Sequence, residues 1–361
     1  MQLKHKEIFR NKKILITGHT GFKGSWLCSW MVKLGGKVTG ISNGVPSSPS
    51  HFDYLNLKKK IKSHTTDIRD YRKLNKIIKK TKPDFIFHLA AQALVKKSYE
   101  DPSFTFETNI VGTKNLLESL RDLKRRCIVI IITSDKVYKN LESKNGYREE
   151  AVLGGIDPYS ASKASAEITI NSYIQSYFKK PDNKILISVA RAGNVIGGGD
   201  WAKNRLVPDC VKAWSKNKKV ILRNPSSTRP WQHVLEAIWA YILLAQNLKL
   251  KKKLHGEAFN FGPSAKNNHS VKKVVKLMKK NWKNVSWSTK KNLKNIHETN
   301  ILKLDSSKAY QKLNWKCLLT IEETMQMVSE WYKIFYLKRQ RNFNITNKQI
   351  EFYEKILTKK G

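Results

Sequence analysis

The chain has 361 residues, 40% hydrophobic and 10% aromatic. That suffices for one large domain or two ordinary ones and excludes an intrinsically disordered chain. The formal net charge of +41 comes from lysine-rich pieces spread along the whole chain, such as "LKKKIKS" and "KLMKKNWK". Interleaved with Leu and Ile, they read as solvated helix faces that favour anionic small molecules, not as a nucleic-acid site. Cys28, Cys127, Cys210 and Cys317 form no CxxC pair and have no histidines at zinc spacing. A disulfide framework and a metal site are therefore not expected, and a reducing, cytoplasmic compartment is. The charged start "MQLKHKEIFRNKK" lacks the apolar core of a signal peptide, and no stretch nears the ~18 apolar residues of a membrane span.

Short apolar runs alternate with amphipathic stretches of helical length through the first half. "KILITG" precedes "GSWLCSWMVKLGG", then come "KVTGIS", "LNKIIKKTK", "DFIFHLAAQ", "TNIVGTKNLLESLRDL", "CIVIIITSD", "YSASKASAEITINSYIQSYF" and "KILISVARAGNVIG". This alternation predicts an α/β fold, a Rossmann-type doubly wound parallel sheet covered on both faces. Beyond Arg191 the pattern loosens into the loops "VIGGGDWAKNRLVP" and "RNPSSTRPWQHV", and helical spacing returns at "EAIWAYILLAQNL", "SVKKVVKLMKKNW" and "IEETMQMVSEWYKIF". We expect a nucleotide-binding domain over residues 1–190 that carries the catalytic residues. A smaller, interleaved substrate lobe over 191–337 returns segments at about 230–262 to the first domain. The basic tail, 338–361, reads either as a terminal helix or as a frayed end.

Gly18, Gly21 and Gly24 lie between the first strand and the first helix, in "ITGHTGFKGSW". Gly18 suits a tight turn, Gly21 a close approach of backbone to a pyrophosphate, and Gly24 a close helix–strand contact at the helix N-terminus. The acidic residue expected on the adenosine ribose is absent, because the second strand ends in Ser42 and Asn43. No arginine stands there for a 2′-phosphate, so NAD is favoured over NADP.

The GxxGxxG spacing resembles the extended branch of the short-chain dehydrogenase/reductase superfamily. That resemblance implies a cofactor site of Gly18, Gly21, Phe22, Lys23, Gly24, Ser42, Asp67, Ile68, Ala90, Ala91, Gln92, Asn109 and Thr133, together with Tyr159 and Lys163. Asp67 would meet the adenine edge, and Ala90–Gln92 would lie beside the cofactor; read alone, Asp67 and Asn109 are equally good turn or helix caps.

In "DPYSASKASAE", Tyr159 and Lys163 are four residues apart and share a helix face. A neighbouring ammonium is expected to lower the phenol pKa from ~10 toward neutrality. Tyr159 could then take the proton of a substrate hydroxyl whose carbon is being oxidised. In "IITSDKVY" an apolar run ends at Thr133, placing Ser134, Asp135 and Lys136 at the carboxyl end of a strand, where α/β sheets bind ligands. An acid and a second base there suit a 4-keto sugar that must lose water.

"GHTGFKGSWL", "TSDKVY", "RAGNVIGGGDWAKNRLVPD", "RPWQHVLE" and "LKLDSSKA" resemble the CDP-glucose branch of the sugar-nucleotide 4,6-dehydratases, from about Lys12 to Trp331. The resemblance implies CDP-glucose as substrate, Asp135 as the acid for the C6 hydroxyl, and Ser134 polarising the C4 oxygen. Lys136 stands where related dehydratases carry a glutamate base. It is assigned as base in its neutral form, with electrostatic stabilisation of an enolate as the alternative. Asn194, Lys203, Arg205, Arg229 and His297 are the candidate substrate contacts, the arginines as phosphate grips, with Trp201 and Trp231 as walls. The setting implied is O-antigen or capsule synthesis. The family also implies a homodimer through paired helices, although apolar stripes on "TNIVGTKNLLESL" and "SASKASAEITINSYIQSYF" would pack equally well within one subunit. A 4-epimerase, which needs no acid at Asp135, and a basic nucleotide- or RNA-binding protein are the competing readings.

Overall fold

The computed structural model describes residues 7–143, 145–222, 224–264, 268–282, 285–289, 302–338 and 344–360. Seven strands form the central sheet: β1 (Lys13–Thr17), β2 (Lys37–Ser42), β3 (Lys62–Thr65), β4 (Phe85–His88), β5 (Cys127–Ile132), β6 (Ile185–Ala192) and β7 (Ala258–Phe261). Their spatial order is β7-β6-β5-β4-β1-β2-β3, and every pairing is parallel. The order reverses between β1 and β4, so a crevice opens beyond the carboxyl ends of those strands.

Alternation along each strand explains how one apolar run serves two faces. Ile14 and Ile16 of β1, Phe85 and Phe87 of β4, and Ile128 and Ile130 of β5 enter one core. Leu15, Ile86, Val129 and Ile131 enter the other. The first core is covered by α1 (Phe22–Lys33), which buries Trp26 and Trp30. The second is covered by α2 (Tyr71–Thr81), α3 (Gly112–Arg121) and α4 (Pro158–Tyr173). Strand β3, "KSHT", is polar and mostly exposed, as an edge strand can be, so no apolar run announces it.

The second half builds a smaller set of elements over the crevice. Helix α5 (Leu206–Trp214) precedes Val220–Leu222, which pairs in parallel with Trp287–Thr289. Helix α6 (Val234–Leu250) returns to the first core and is buried around its whole circumference. Helices α7 (Val271–Asn281) and α8 (Ile321–Lys333) pack together, the latter started by a reciprocal Thr320–Glu323 cap. The basic tail contains α9 (Ile345–Lys360), a docked helix that buries Ile345, Ile350 and Tyr353 and packs on α1. Among the described residues, no helix is long and apolar enough to cross a membrane.

One carboxylate ties these late elements to the core. Glu236 on α6 is fully buried and accepts from the backbone N–H of Leu318 and Leu319 at 2.8 and 2.7 Å and from the Tyr353 hydroxyl at 2.6 Å. Burial pushes its pKa up to about 7 against the pull of those donors. The folded state therefore holds this proton from about pH 4.5 to 7, where the unfolded chain releases it, so stability falls as pH rises through that window. Glu236→Gln should flatten this slope in denaturant titrations across pH. Tyr353→Phe should cost about 1–3 kcal/mol, read as a lower thermal midpoint.

Candidate active site

The glycine loop is shaped by contacts that a side chain would destroy. Gly18, at the end of β1, has φ +71°, and a Cβ there would lie 2.8 Å from the Ala90 nitrogen. A Cβ on Gly24 would come within 2.1 Å of the Gly18 oxygen, so the first turn of α1 fits only against bare backbone. Gly21 caps α1, leaving its first N–H groups without helical acceptors at the crevice. These features fit a dinucleotide pyrophosphate.

The adenosine corner differs in detail from expectation. The Ser42 hydroxyl is paired with Thr20 at 2.8 Å. Asp67 accepts from Arg69 through its backbone N–H at 2.9 Å and through Nη2 at 2.9 Å. Burial raises the Asp67 pKa, but these bonds and the Arg69 charge outweigh it and leave the carboxyl below its usual range. The end of β2 carries no arginine, yet the fold brings Arg69 to this corner from the loop after β3. Its charge is already met by Asp67 and by Glu107 at 2.8 Å. Ile68 is buried under α3, where Asn115 donates to its carbonyl at 3.1 Å.

Asn109 acts as a clamp, not as a cap. It accepts from the Gln92 N–H at 2.9 Å and donates to the Gln92 carbonyl at 3.1 Å and to Ser162 Oγ on α4 at 2.8 Å. It sits on a π-helical turn, Glu107–Val111, whose wider coil inserts into this contact. The Ala90–Gln92 segment is thereby fixed to the helix that carries Tyr159 and Lys163. Ser162 was not foreseen, although it stands inside "YSASK".

Tyr159 and Lys163 are both buried in the first turns of α4, which Asp157 caps by accepting from the Ser160 N–H at 3.0 Å. Burial pushes the Lys163 pKa down to about 8, opposed by Glu167. The expected depression of the Tyr159 pKa is not found. Burial raises it, the nearby Ser134 hydroxyl and the charge of Arg205 pull it down, and Asp135 pushes it up. Desolvation of the phenolate wins over the nearby cations.

The strand-end segment lies in the same crevice. Ser134 donates to Asp135 Oδ1 at 2.9 Å and accepts from the Lys136 N–H at 3.2 Å. Asp135 is 3% exposed, and its Oδ2 accepts from Asn194 Nδ2 at 3.2 Å. Gly193 lies directly beneath: a Cβ there would sit 1.9 Å from Asp135 Oδ2. Lys136 is half-buried on the cavity wall. Lys23 brings an ammonium from α1 to within 3.4 Å of the Tyr241 hydroxyl. Its pKa is pushed down to about 7, first by burial and then by Lys163 and Arg205, with Asp135 opposing.

These groups line a cavity of about 380 Å³ that extends from Lys23 and Tyr159 past Asn194 to Val220–Leu222, Ser227 and Trp231. Arg205 lines it and is paired with Asp200 at 2.9 Å, while Arg229 lines it nearer the far end. Two expectations are corrected. Lys203 is exposed and outside this lining, because the turn before α5 directs Arg205 inward in its place. Trp201 is 2% exposed and packs against Trp331 and Phe335 behind the wall, leaving Trp231 as the lining tryptophan. His297 lies outside the described residues. Asp200, Asn224 and Ser227 also line the cavity; their sequence signals are the glycine-rich loop "VIGGGDW" for Asp200 and the polar, Pro-containing stretch "RNPSSTRPW" for Asn224 and Ser227.

Among the described residues no group of three His, Cys, Asp or Glu could hold a metal ion.

Comparison with known proteins places this site in a family. Residues 15–328 match the family model of GDP-mannose 4,6 dehydratase. A CDP-glucose 4,6-dehydratase of Salmonella typhimurium is 42% identical over 332 residues, covering 91% of this chain and 92% of that protein. Among solved structures, an epimerase of Methanothermobacter thermautotrophicus superposes with a TM-score of 0.79 at 22% identity, covering 93% of this chain and 96% of the other. A dTDP-glucose 4,6-dehydratase of Bacillus anthracis, solved in complex with NAD, superposes with a TM-score of 0.72 at 23% identity, covering 89% and 96%. At these identities the two structures attest the fold. The chain belongs to the GDP-mannose 4,6 dehydratase family, an NAD-dependent dehydratase group of the extended short-chain dehydrogenase/reductases.

Proposed function

We propose that this protein converts CDP-glucose to CDP-4-dehydro-6-deoxyglucose. The observation that carries the reading is a buried carboxylate, Asp135, hydrogen-bonded to Ser134 and lining one cavity with the phenol of Tyr159. A 4-epimerase would leave that carboxylate without a task. The CDP preference rests on the 42% identical relative.

The glycine loop with Lys23, the Asp67–Ile68 turn and Ala90–Gln92 would hold NAD, which when bound supplies a hydride acceptor at C4 and a donor at C6. Tyr159 takes the C4 hydroxyl proton. Ser134 turns its one hydroxyl proton from Asp135 to the C4 oxygen and polarises the resulting ketone. The ketone makes the C5 proton acidic, and Lys136 removes it. Asp135 gives a proton to the C6 hydroxyl as it leaves as water. Asn194 on Oδ2 holds that carboxyl in place, with Ser134 on Oδ1 before the sugar binds. Arg205 and Arg229 grip the diphosphate as bidentate donors. The surrounding cations concentrate an anionic substrate in the cavity.

The protein acts in the cytoplasm as a homodimer. The exposed Val111, Ile168 and Tyr177, on or beside the outer faces of α3 and α4, support this pairing.

Incubation with CDP-glucose and NAD should yield a 4-keto sugar with no net build-up of reduced cofactor. GDP-, dTDP- and UDP-glucose should react more slowly. A faster reaction with another nucleotide would remove the CDP assignment, and a keto-free C4 epimer would remove the dehydratase reading. Asp135→Asn should slow water loss by ~10²–10⁴-fold while sparing C4 oxidation, so reduced cofactor stays enzyme-bound. Gly193→Ala, which drives a methyl into the Asp135 carboxylate, should act in the same direction on a folded enzyme. Equal loss of both steps in these variants would contradict the role given to Asp135.

A further inference from the structure

Behind the catalytic residues lies a buried ion pair that the proposed chemistry does not use. Glu167 follows Tyr159 and Lys163 on the same face of α4, at spacings of eight and four. It is 5% exposed, and Arg191 on β6 is 4% exposed. Arg191 Nε donates to both carboxylate oxygens at 2.9 Å, and its Nη2 adds a further contact. Two more bonds lead from this pair to the Thr133–Tyr138 segment. Thr133 Oγ1 donates to Glu167, and Arg191 Nη1 donates to the Tyr138 hydroxyl at 2.7 Å. Tyr138 in turn donates to Asn260 on β7 at 2.6 Å, and the guanidinium lies over its ring at 4.9 Å.

Ser134, Asp135 and Lys136, with the buried Val137, are the residues between those two attachment points. Burying such a pair is commonly no better for stability than well-packed apolar side chains. Its connections join the two halves of the site. Glu167 stands on the helix of Tyr159 and Lys163 and holds Thr133 at one end of the proton-transfer segment, while Arg191 holds Tyr138 at the other.

We propose that Glu167 and Arg191 are positioning residues, their ion pair locking the Ser134–Lys136 segment in register with the helix that carries Tyr159 and Lys163. The inference rests on the catalytic roles assigned above. It has an electrostatic consequence as well. Glu167 opposes the burial that lowers the Lys163 pKa. From the other elements, Lys163 is faced by His88 on β4, which burial holds neutral with a pKa near 3, and by Lys23 from α1. Glu167 is thus the carboxylate that keeps Lys163 charged.

The test compares Tyr138→Phe, Thr133→Val and Glu167→Gln with Asp135→Asn. Bound reduced cofactor during turnover separates oxidation from elimination, and single-turnover oxidation is followed across pH. Tyr138→Phe and Thr133→Val each remove one hydroxyl and keep the ion pair, so they stay informative if Glu167→Gln, which strands a buried guanidinium, does not fold. Both should slow elimination more than oxidation, by on the order of tenfold to a hundredfold, so that reduced cofactor accumulates. Glu167→Gln should also move the alkaline limb of oxidation to lower pH. If every step instead falls in proportion to the folded fraction, with the pH limb unmoved, while Asp135→Asn still stalls elimination, the positioning role is overturned. If Asp135→Asn itself fails to stall elimination, the catalytic assignment falls first and the inference falls with it.

Discussion

Charged groups placed where water is scarce are the constraint on which this molecule is built. At the carboxyl ends of the central strands, Lys23, Lys163, Arg205, Asp135, Asp200 and Glu167 all lie within one crevice or directly behind it. Low local dielectric makes each interaction strong and each unmatched charge costly. The fold answers by matching several of them. Asp200 neutralises Arg205, Arg191 neutralises Glu167, and Glu167 supports Lys163. Among the described residues Lys23 forms no such ion pair, and burial with the charges of Lys163 and Arg205 brings its pKa down to about 7, so a bound anion would favour its charged form.

Close backbone approach is the other side of the same design. Gly18, Gly24 and Gly193 lie where a methyl group would strike backbone or the Asp135 carboxylate. The first two let α1 present its N-terminus at the crevice, and the third lets Asp135 settle against the β6 exit. Packing, glycine placement and charge therefore act on one volume. A large apolar core with its buried tryptophans supplies the stiffness that holds them there.

Much of this was legible from the chain, for reasons that can be stated. Strands buried on both faces appear as unbroken apolar runs, which is why β1, β4, β5 and β6 stand out and the polar edge strand β3 does not. "YSASK" and "TSDK" were readable because their residues are close in sequence and sit where strand or helix begins or ends. What escaped was relational. Glu167 and Arg191 are 24 residues apart and meet across two elements, so no local pattern joins them. Lys203 and Arg205 look alike in the sequence, and only the turn geometry tells them apart. The Tyr159 shift was misjudged because a cation four residues away is visible in the sequence, whereas the depth of burial is not.

The central claim is that a single active site lends the sugar's own C4 hydrogen to the cofactor and returns it at C6, with proton exchange at C5. Incubating CDP-glucose deuterated at C4 in ordinary water, and the unlabelled sugar in heavy water, tests it most directly. The account predicts product carrying the C4 label at C6 in the first case, and one solvent deuteron at C5 in the second. Loss of the C4 label to solvent, or a C5 hydrogen that never exchanges, would contradict it.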